Sequence, residues 1–262
     1  MTPATIAVAN QKGGVGKTIT TVSLASALAS SGSRVLVVDL DPQRNATSAL
    51  GVRHPLELSV HDLLIRDGRV PDLAVRTDVD RLDLVPSSIE MAGAEVELVP
   101  VLGREFRLRA SLASATGYDV VLIDCPPSLG LLTVNALVAA EHVIVPVQCE
   151  YLALEGLAQL LATIDAVRAR LNPGLRILAI LLTMEDRRNR LSQQVADEVV
   201  GHFPDLVSKV RIPRSVRLAE APSHGKPIDV YDPGSRATAA YAAFAREILE
   251  RLAATTAPAI AS

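Results

Sequence analysis

A glycine-rich stretch near the amino terminus constrains this chain more than any other feature. It extends from Lys12 to Thr18 and follows an apolar, β-prone run at residues 5–9. After it, apolar residues recur at helical spacing between Val22 and Ala29. The stretch is therefore predicted to connect a strand to the start of a helix, which is the setting that a phosphate-binding loop requires.

The residue types in this loop suit phosphate chemistry. Glycine has no Cβ, so Gly13, Gly14 and Gly16 allow backbone N–H groups to close around phosphate oxygens. The helix that follows adds its unsatisfied N–H groups and the positive end of its dipole. We expect Lys17 to reach the β- and γ-phosphates of a nucleotide and the Thr18 hydroxyl to bind Mg²⁺.

The loop departs from the ordinary pattern G-x-x-x-x-G-K-[ST] in one place. The first glycine of that pattern falls on Gln11, and a second lysine, Lys12, stands beside it. Only four lysines occur in the whole chain, and two of them belong to this loop. Lys12 is either a solvated lysine next to the loop or a second cation of the site.

Composition limits the possible functions. The core must be aliphatic, because 49% of the 262 residues are apolar while only 3% are aromatic. The net charge is −3, so any nucleic-acid binding has to come from a local patch. No apolar run reaches the roughly 18 residues that span a bilayer, and no signal-peptide pattern occurs, which predicts a cytoplasmic protein without membrane contact. Two cysteines without ligand spacing predict neither a metal site nor a disulfide.

Apolar runs alternate with helical periodicity along the chain. The runs predict strands at 5–9, 34–39, 81–86, 118–124, 142–147, 175–182 and 206–212. Helices are predicted at 90–113, with an interruption, and at 129–140, 152–171, 191–201 and 236–253, with short helices and loops at 46–80. This alternation predicts an α/β fold with a mostly parallel sheet and helices on both faces. Residues 1–253 are predicted to form one domain, and the Ala/Thr/Pro-rich residues 254–262 a disordered tail.

Acidic residues follow two of the predicted strands, at the carboxyl ends where ligands bind in such sheets. Asp124 ends the run 118–124 as in a Walker B motif, where a carboxylate can hold Mg²⁺, usually through a coordinated water. Asp41 lies in the polar turn after the run 34–39. The structural alternatives are a helix N-cap or turn acid at position 124 and a turn-forming aspartate before proline at position 41.

Several segments resemble the ParA/MinD group of P-loop ATPases. The loop from Lys12 to Thr18 looks like the deviant Walker A motif of that group. Residues 121–128, Val-Leu-Ile-Asp-Cys-Pro-Pro-Ser, resemble switch II of ParA proteins. Residues 181–184, 190–194 and 212–227 look like the matching parts of Soj-type chromosome-partitioning ATPases, so the resemblance covers roughly residues 3 to 250.

The resemblance implies roles for individual residues. In this family the first lysine, here Lys12, reaches across an ATP-bound homodimer to the partner's nucleotide, and the aspartate before Pro-Gln, here Asp41, acts on the attacking water in switch I. Together with Lys17 these are the expected catalytic residues, while Thr18 and Asp124 are the expected Mg²⁺ ligands. Nucleotide contacts are expected from Lys12, Gly13, Gly14, Val15, Gly16, Lys17, Thr18, Thr183 and Pro213, the last two near the adenine.

The segment 39–47, which corresponds to switch I, contains one departure from the family pattern. Arg44 stands where the family usually has glycine, and elsewhere Ser215 replaces a common asparagine. Asp39, which precedes the water-directing position by two residues, is expected to contact either Mg²⁺-bound waters or the loop itself.

Basic residues cluster between positions 187 and 217. They are Arg187, Arg188, Arg190, Lys209, Arg211, Arg214 and Arg217, against Asp197, Glu198 and Asp205. On charge alone the cluster is either an ordinary solvated face or a DNA-binding patch. The resemblance favours the second, because Soj-like ATP dimers bind double-stranded DNA nonspecifically through arginines at positions matching Arg188 and Arg217. It also implies a ParB-type partner that stimulates hydrolysis, and a location on the nucleoid.

Other functions are possible for chains of this kind. A MinD-like membrane-associated positioning ATPase is the main alternative, but it needs a basic, bulky amphipathic helix at the end, and residues 253–262 are small, uncharged and interrupted by Pro258. A nitrogenase-reductase-like cluster protein would need cysteines that bridge two subunits, whereas Cys125 lies in switch II and Cys149 ends a predicted strand. A sequence-specific DNA-binding module would need a helix-turn-helix segment, and none is predicted before residue 3.

Overall fold

The computed structural model describes residues 2–53, 58–150, 153–186 and 188–256. Eight strands form one sheet in the order β3-β4-β2-β5-β1-β6-β7-β8. The strands are β1 (Ala4–Val8), β2 (Val35–Asp39), β3 (Val75–Arg76), β4 (Leu82–Val85), β5 (Val120–Asp124), β6 (His142–Gln148), β7 (Arg176–Glu185) and β8 (Val207–Pro213). All are parallel except β3, which pairs antiparallel with β4 at one edge. The predicted α/β fold with a mostly parallel sheet is confirmed.

Helices follow most of the strands. They are α1 (Lys17–Ser30), α2 (Asn45–Ala49), α3 (Val60–Ile65), α4 (Val70–Leu73), α5 (Met91–Leu98), α6 (Arg107–Leu112), α7 (Leu131–Ala139), α8 (Ala153–Arg170), α9 (Arg190–His202), α10 (Val216–Glu220), α11 (Ile228–Tyr231) and α12 (Arg236–Thr256). Short 3₁₀ helices occupy Arg104–Phe106 and Ala221–His224. Within the described ranges, no helix is long and apolar enough to span a membrane.

The central strands are buried on both faces, as their apolar runs predict. Every residue of β2 and of β5 is buried. Alternate side chains of β1 enter two separate cores, with Ile6 and Val8 in one and Ala7 in the other. Such strands receive helices on each side, because side chains alternate between the two faces of a sheet.

Two aliphatic cores cover the two faces of the sheet. On one face α1 and α12 pack together, and their shared core contains Tyr241 and Phe244, which are both fully buried. On the other face the core takes residues from α3, α5, α6, α7, α8 and α9. The scarcity of aromatic residues thus leaves a core built from Leu, Ile, Val and Ala, with a few aromatic rings under the last helix.

The register brings three strand ends to one edge. Val8 of β1 and Asp39 of β2 both lie opposite Asp124 of β5. Because parallel strands end at the same edge, the segments that follow β1, β2 and β5 emerge side by side. This edge carries the loop from Lys12 to Thr18, switch I and switch II.

The structure differs from the predicted elements mainly between 213 and 231 and at the ends of strands. The helices α10 and α11 have five and four residues, which is too short to show a helical period in sequence. β7 continues three residues past the predicted end at position 182. The last helix extends to Thr256, three residues beyond the predicted end, and neither glycine nor proline occurs in those three residues to end it earlier. The rest of the predicted tail, 257–262, lies outside the described residues.

Candidate functional site

The loop between β1 and α1 takes its shape from two glycines. Gly14 and Gly16 have positive φ angles of 76° and 87°, in the left-handed region that other residues adopt only with strain. Gly16 is the N-cap of α1, and Lys17 is the first residue of that helix. The backbone therefore turns directly into a helix N-terminus, where unpaired N–H groups attract anions.

Asn10 holds the start of the same loop, although its role was not visible in the sequence. Its side-chain amide donates to the carbonyl of Pro146 at 2.7 Å, and its carbonyl oxygen accepts from the backbone N–H of Lys12 at 3.0 Å. The sequence does not indicate this contact, because Pro146 of β6 is 136 residues away from Asn10. Asn10 ties the loop to the neighbouring strand.

Lys17 lies inside the loop rather than on the surface. Its side chain is 6% exposed, and Nζ donates to the backbone oxygen of Lys12 at 3.0 Å. Burial lowers the pKa of Lys17, while the negative charge of Asp124 acts in the opposite direction. The ammonium group is thus held at the centre of the turn that the glycines form.

A cavity of about 500 Å³ opens in front of this loop. Three glycines of the loop, Lys17, Thr18 and Asp41 line it, together with Pro127 of switch II. The full set of lining residues is Gly13, Gly14, Gly16, Lys17, Thr18, Ile19, Asp41, Gln43, Asn45, Ser48, Pro127, Met184, Pro222 and Ser223. Residues predicted from three separate sequence segments therefore meet around one cavity.

Asp124 is hydrogen-bonded to Thr18, which lines the cavity. Thr18 Oγ1 donates to Asp124 Oδ2 at 2.8 Å, and Thr21 Oγ1 donates to Asp124 Oδ1 at 3.1 Å. Burial, together with the nearby charge of Asp39, raises the pKa of Asp124 to about 8. A hydroxyl and a buried carboxylate beside a cationic loop are the hard oxygen ligands that suit Mg²⁺. Asp124 is not a helix N-cap, because the next helix begins at Leu131.

Asp41 faces the cavity and also shapes its own loop. Asp41 Oδ1 accepts from the backbone N–H of Gln43 at 2.9 Å, which is the turn-forming contact that its position before proline allows. Asp41 therefore forms this turn and also lines the cavity. The carboxylate is therefore held in a fixed orientation next to the loop of Lys17.

Asp39 fastens the switch I segment from within. It is fully buried, and it accepts hydrogen bonds from the backbone N–H of Asp41 at 3.1 Å and from the N–H and hydroxyl of Thr47 at 2.8 and 2.6 Å. Burial raises the pKa of Asp39 to about 6, and the bonds from Thr47 and Asp41 oppose that rise. Asp39 was expected to contact either Mg²⁺-bound waters or the loop, and its hydrogen bonds are to the loop.

Lys12 points away from Lys17 in the single chain. Its Nζ forms an ion pair with Glu150 Oε2 at 3.1 Å, and one third of its side chain is exposed. Lys12 is thus neither fully solvated nor part of the cavity lining. In the single chain Lys12 therefore makes an ion pair with one exposed carboxylate.

Thr183 and Pro213, both expected near the adenine, lie in different surroundings. Thr183 is buried against the loop, and its Oγ1 donates to the backbone oxygen of Val15 at 2.8 Å. The next residue, Met184, has a positive φ of 53° and lines the cavity. Pro213 at the end of β8 is not among the residues that line this cavity, and it borders a second one.

The second cavity, of about 830 Å³, is basic. It is lined by Glu185, Asp186, Arg188, Arg211, Pro213, Arg214, Val216, Arg236 and Ala240. Arg188 and Arg214 are exposed, whereas Arg211 is paired with Glu185 at 2.7 Å. Arg236, at the start of α12, was missed by the sequence analysis because it lies outside the cluster 187–217. Arg187 lies outside the described residues.

Arg217 lies on α10, beside this surface. It is exposed and paired with Glu220 at 3.3 Å and with Asp232 at 3.9 Å. It is not among the residues that line the second cavity. Of the two predicted DNA-binding arginines, the structure therefore places Arg188 with other arginines and Arg217 with acidic partners.

Both cysteines lie inside the protein. Cys125 and Cys149 are both buried and free, so neither faces outward to bridge two subunits. Across the described ranges, no group of three or more His, Cys, Asp and Glu side chains is placed to hold a metal ion by itself. Thr18 and Asp124 are only two residues, fewer than such a cluster contains.

Relatives with known names match nearly the whole chain. The family model described as "AAA domain" matches residues 3–177. The sporulation initiation inhibitor protein Soj of Bacillus subtilis is 55% identical over 245 residues, covering 93% of this chain and 97% of that protein. The chromosome partitioning protein ParA of Caulobacter vibrioides is 50% identical over 250 residues, covering 94% of each chain. The chromosome-partitioning ATPase Soj of Thermus thermophilus is 53% identical over 247 residues, covering 94% and 96%.

Solved structures with the same fold also match nearly the whole chain. A Mycobacterium smegmatis protein named cobyrinic acid a,c-diamide synthase, with a bound ATP analogue and magnesium, gives a TM-score of 0.84 at 42% identity and covers 97% of both chains. The septum site-determining protein MinD of Pyrococcus horikoshii, with Mg-ADP, gives a TM-score of 0.78 at 26% identity, covering 98% and 99%. The resemblance predicted from the motifs is confirmed: the chain belongs to the Soj/ParA family of chromosome-partitioning ATPases.

Proposed function

We propose that this chain is an ATP-switched partition protein that binds ATP with Mg²⁺, dimerises, and then binds nucleoid DNA. A ParB-type partner stimulates hydrolysis, and the dimer then releases the DNA. One observation carries this proposal. The loop of Lys17, the Thr18–Asp124 pair and the Asp41 carboxylate line or adjoin one cavity at one edge of the sheet. Those are the parts that phosphoryl transfer to water requires.

Phosphate binding rests on the loop and the helix that follows it. The loop N–H groups, the N-terminus of α1 and the buried ammonium of Lys17 supply positive charge where the β- and γ-phosphates lie. Thr18 would hold Mg²⁺ directly and Asp124 would hold it through a coordinated water, and the ion would neutralise charge on the phosphate oxygens. Because Lys17 is buried, its charge is screened less by solvent than that of a surface lysine.

Hydrolysis requires a group that orients or deprotonates the attacking water. Asp41 takes this role, because it is the carboxylate of switch I that lines the cavity while Asp39 is engaged in holding the loop. The bond from Gln43 N–H fixes one oxygen of Asp41 and thereby sets the direction of the other. The left-handed conformation of Arg44, with φ of 56°, is the one that glycine adopts most easily, so Arg44 fits the turn with some strain.

Dimerisation depends on Lys12. In one chain its ammonium pairs with the exposed Glu150, a contact worth little in water. A triphosphate on the partner subunit offers more negative charge than a single carboxylate. Lys12 exchanges Glu150 for that phosphate when two ATP-bound chains meet, so ATP acts as part of the interface.

DNA binding uses the basic surface of Arg188, Arg214 and Arg236, with Arg217 at its side. These contacts go to phosphates, which carry no sequence information. A single chain offers few of them, whereas a dimer doubles the number on one assembly. The binding is therefore nonspecific, dependent on ATP and sensitive to salt.

The alternatives receive less support from the relatives. MinD of Pyrococcus horikoshii shares 26% identity with this chain, and the protein named as a cobyrinic acid a,c-diamide synthase shares 42%. Soj of Bacillus subtilis shares 55% and ParA of Caulobacter vibrioides shares 50%, each over more than 90% of the chain. Chromosome partitioning is therefore the function we propose in preference to membrane-linked positioning or amide synthesis.

The test combines assembly, DNA binding and turnover in one preparation. Light scattering should show a monomer with ADP and a dimer with ATP and Mg²⁺, and only the ATP sample should shift two unrelated DNA duplexes equally. Adding the ParB-type protein from the same genome should raise the hydrolysis rate. Equal DNA binding with ADP and ATP would remove the switch from this proposal, and strong preference for one duplex would contradict nucleoid binding.

A further inference from the structure

The loop after β4 contacts switch I. Val85, at the end of β4, lies opposite Val38 of β2, so the residues that follow the two strands emerge next to each other. Ser87 is the second residue after β4, and its Oγ donates to the backbone oxygen of Asp41 at 2.8 Å. Its backbone N–H donates to Thr47 Oγ1 at 3.0 Å. One serine thus contacts both ends of the segment 41–47.

Thr47 connects Ser87 to the buried Asp39. The hydroxyl that accepts from Ser87 also donates to Asp39 Oδ2 at 2.6 Å, and Asp39 in turn accepts from the N–H of Asp41 at 3.1 Å. Ser87, Asp41 and Thr47 are each 5% exposed, and Asp39 is fully buried. Because these groups are out of water, a lost bond leaves a buried polar atom unsatisfied, which costs more than losing an exposed bond.

We infer that Ser87 is a positioning residue for ATP hydrolysis, which holds the backbone of Asp41 so that the carboxylate faces the nucleotide cavity. This inference rests on the role proposed above for Asp41. The carbonyl that Ser87 holds belongs to the same residue as the carboxylate, and only ψ and the two side-chain dihedrals of Asp41 separate the two groups. A displacement of about 1 Å at a reacting group lowers turnover by up to about 100-fold, so a bond to this carbonyl matters for rate more than for nucleotide affinity.

The chain offers a matched control in the next residue. Ser88 carries the same hydroxyl, but its Oγ accepts from Ser59 Oγ at 2.9 Å, and Ser59 is the N-cap of α3. Ser59 does not belong to switch I. Ser87→Ala and Ser88→Ala therefore remove the same group from adjacent positions, with only one of them bonded to the segment that bears Asp41.

The experiment compares these variants in the full chain. Single-turnover hydrolysis, affinity for a fluorescent ADP analogue with Mg²⁺, thermal unfolding and hydrogen exchange of residues 40–48 are measured for each. Ser87→Ala should lower the hydrolysis rate about tenfold, because without this buried hydrogen bond the backbone of Asp41 can shift and misplace the carboxylate. Its nucleotide affinity should change by less than about twofold, since the phosphate contacts are elsewhere. Hydrogen exchange of the backbone amides of residues 40–48 should be faster in Ser87→Ala. Ser87→Thr keeps the hydroxyl and should retain most of the hydrolysis rate.

Three results would overturn the inference. They are an unchanged rate in Ser87→Ala, an equal loss in Ser88→Ala, or a loss in Ser87→Thr as large as in Ser87→Ala. A double variant with Asp41→Ala decides whether Ser87 acts through Asp41, because it should be no slower than Asp41→Ala alone. A further loss in the double variant would contradict that route. Normal turnover by Asp41→Ala itself would instead refute the proposed role of Asp41, which is a separate outcome from failure of Ser87 alone.

Discussion

The nucleotide cavity and the basic surface are built in opposite ways. Lys17, Asp41 and Asp124 are buried and each makes hydrogen bonds that fix its direction. Arg188 and Arg214 are exposed around a wide cavity, and Arg217 is paired with acidic side chains. The side chains of the nucleotide cavity are held in place without a ligand. The affinity of the basic surface for DNA would instead depend on how many arginines contact phosphates. Substitutions should therefore have large single effects in the first and small additive effects in the second.

The physical reason lies in solvent access. Charges inside the protein interact with a low effective dielectric, and exposed charges are screened by water and salt. An exposed ion pair is worth about 1 kcal/mol or less. Removing one charged group at a time from each region tests this difference, beginning with the buried Lys17.

The largest effect is expected from Lys17→Ala. The loop loses the only buried ammonium that faces the cavity among the described residues, so affinity for ATP with Mg²⁺ should fall by about 100-fold. Titration with a fluorescent ATP analogue measures the change. Lys226→Ala, which removes an exposed lysine, is the control and should leave affinity unchanged. Unaltered binding by the Lys17 variant would remove the phosphate-binding role of the loop.

The second prediction is a loss of ATP hydrolysis while ATP binding is retained. Asp41→Ala should bind ATP normally but hydrolyse it at least about 100-fold more slowly, because a general base contributes roughly that much. The ATP-bound dimer should then accumulate in light scattering. Asp41→Asn keeps an oxygen to accept from Gln43 N–H, so it separates the chemical role from the turn role.

Both Asp41 variants should be inactive if the carboxylate acts on water. If Asp41→Asn hydrolysed ATP like the unmodified chain while Asp41→Ala did not, the residue would be a turn former only. The exposed Asp80, whose side chain is 97% exposed, supplies the control, and Asp80→Ala should change neither binding nor turnover.

The sequence predicted the cavity well because its parts are local motifs. Glycines before Lys17 specify a turn, and an apolar run that ends in Asp124 specifies a buried strand with an acid at its carboxyl end. Parallel strands then bring those ends to one edge without further information. The same rule predicts Asp41 at this edge, whereas its place beside Asp124 follows from the pairing of β2 with β5, which the structure shows.

The supporting contacts could not be predicted, because they depend on strand order. Ser87 reaches Asp41 only because β4 lies beside β2, and Asn10 reaches Pro146 only because β6 lies beside β1. On the basic surface the same limit applies to Arg236, which joins Arg188 through the packing of α12 against β8. Charge counting along the chain identified the cluster but not its members in space.

A third prediction concerns Lys12, whose ammonium group pairs with Glu150. Lys12→Ala should bind nucleotide as tightly as the unmodified chain but remain a monomer with ATP, because the cation that reaches the partner's phosphates is gone. Glu150→Gln removes the carboxylate that pairs with Lys12 and should dimerise at least as well. Light scattering with ATP and Mg²⁺ distinguishes them. Normal dimerisation of Lys12→Ala would refute the role across subunits.

The smallest single effects are expected on the basic surface. Each phosphate contact that is lost lowers the salt slope of DNA binding by about 0.9, so Arg188→Ala and Arg214→Ala should each weaken binding several-fold while ATP-driven dimerisation is unchanged. Arg217→Ala should have a smaller effect than Arg188→Ala, because Glu220 and Asp232 already compete for its guanidinium group. Gel shifts over a salt series measure all three, with the exposed Arg109→Ala as control. A larger loss in Arg217→Ala than in Arg188→Ala would show that the ion pairs of Arg217 open on DNA, and full binding by the Arg188/Arg217 double variant would place the DNA surface elsewhere.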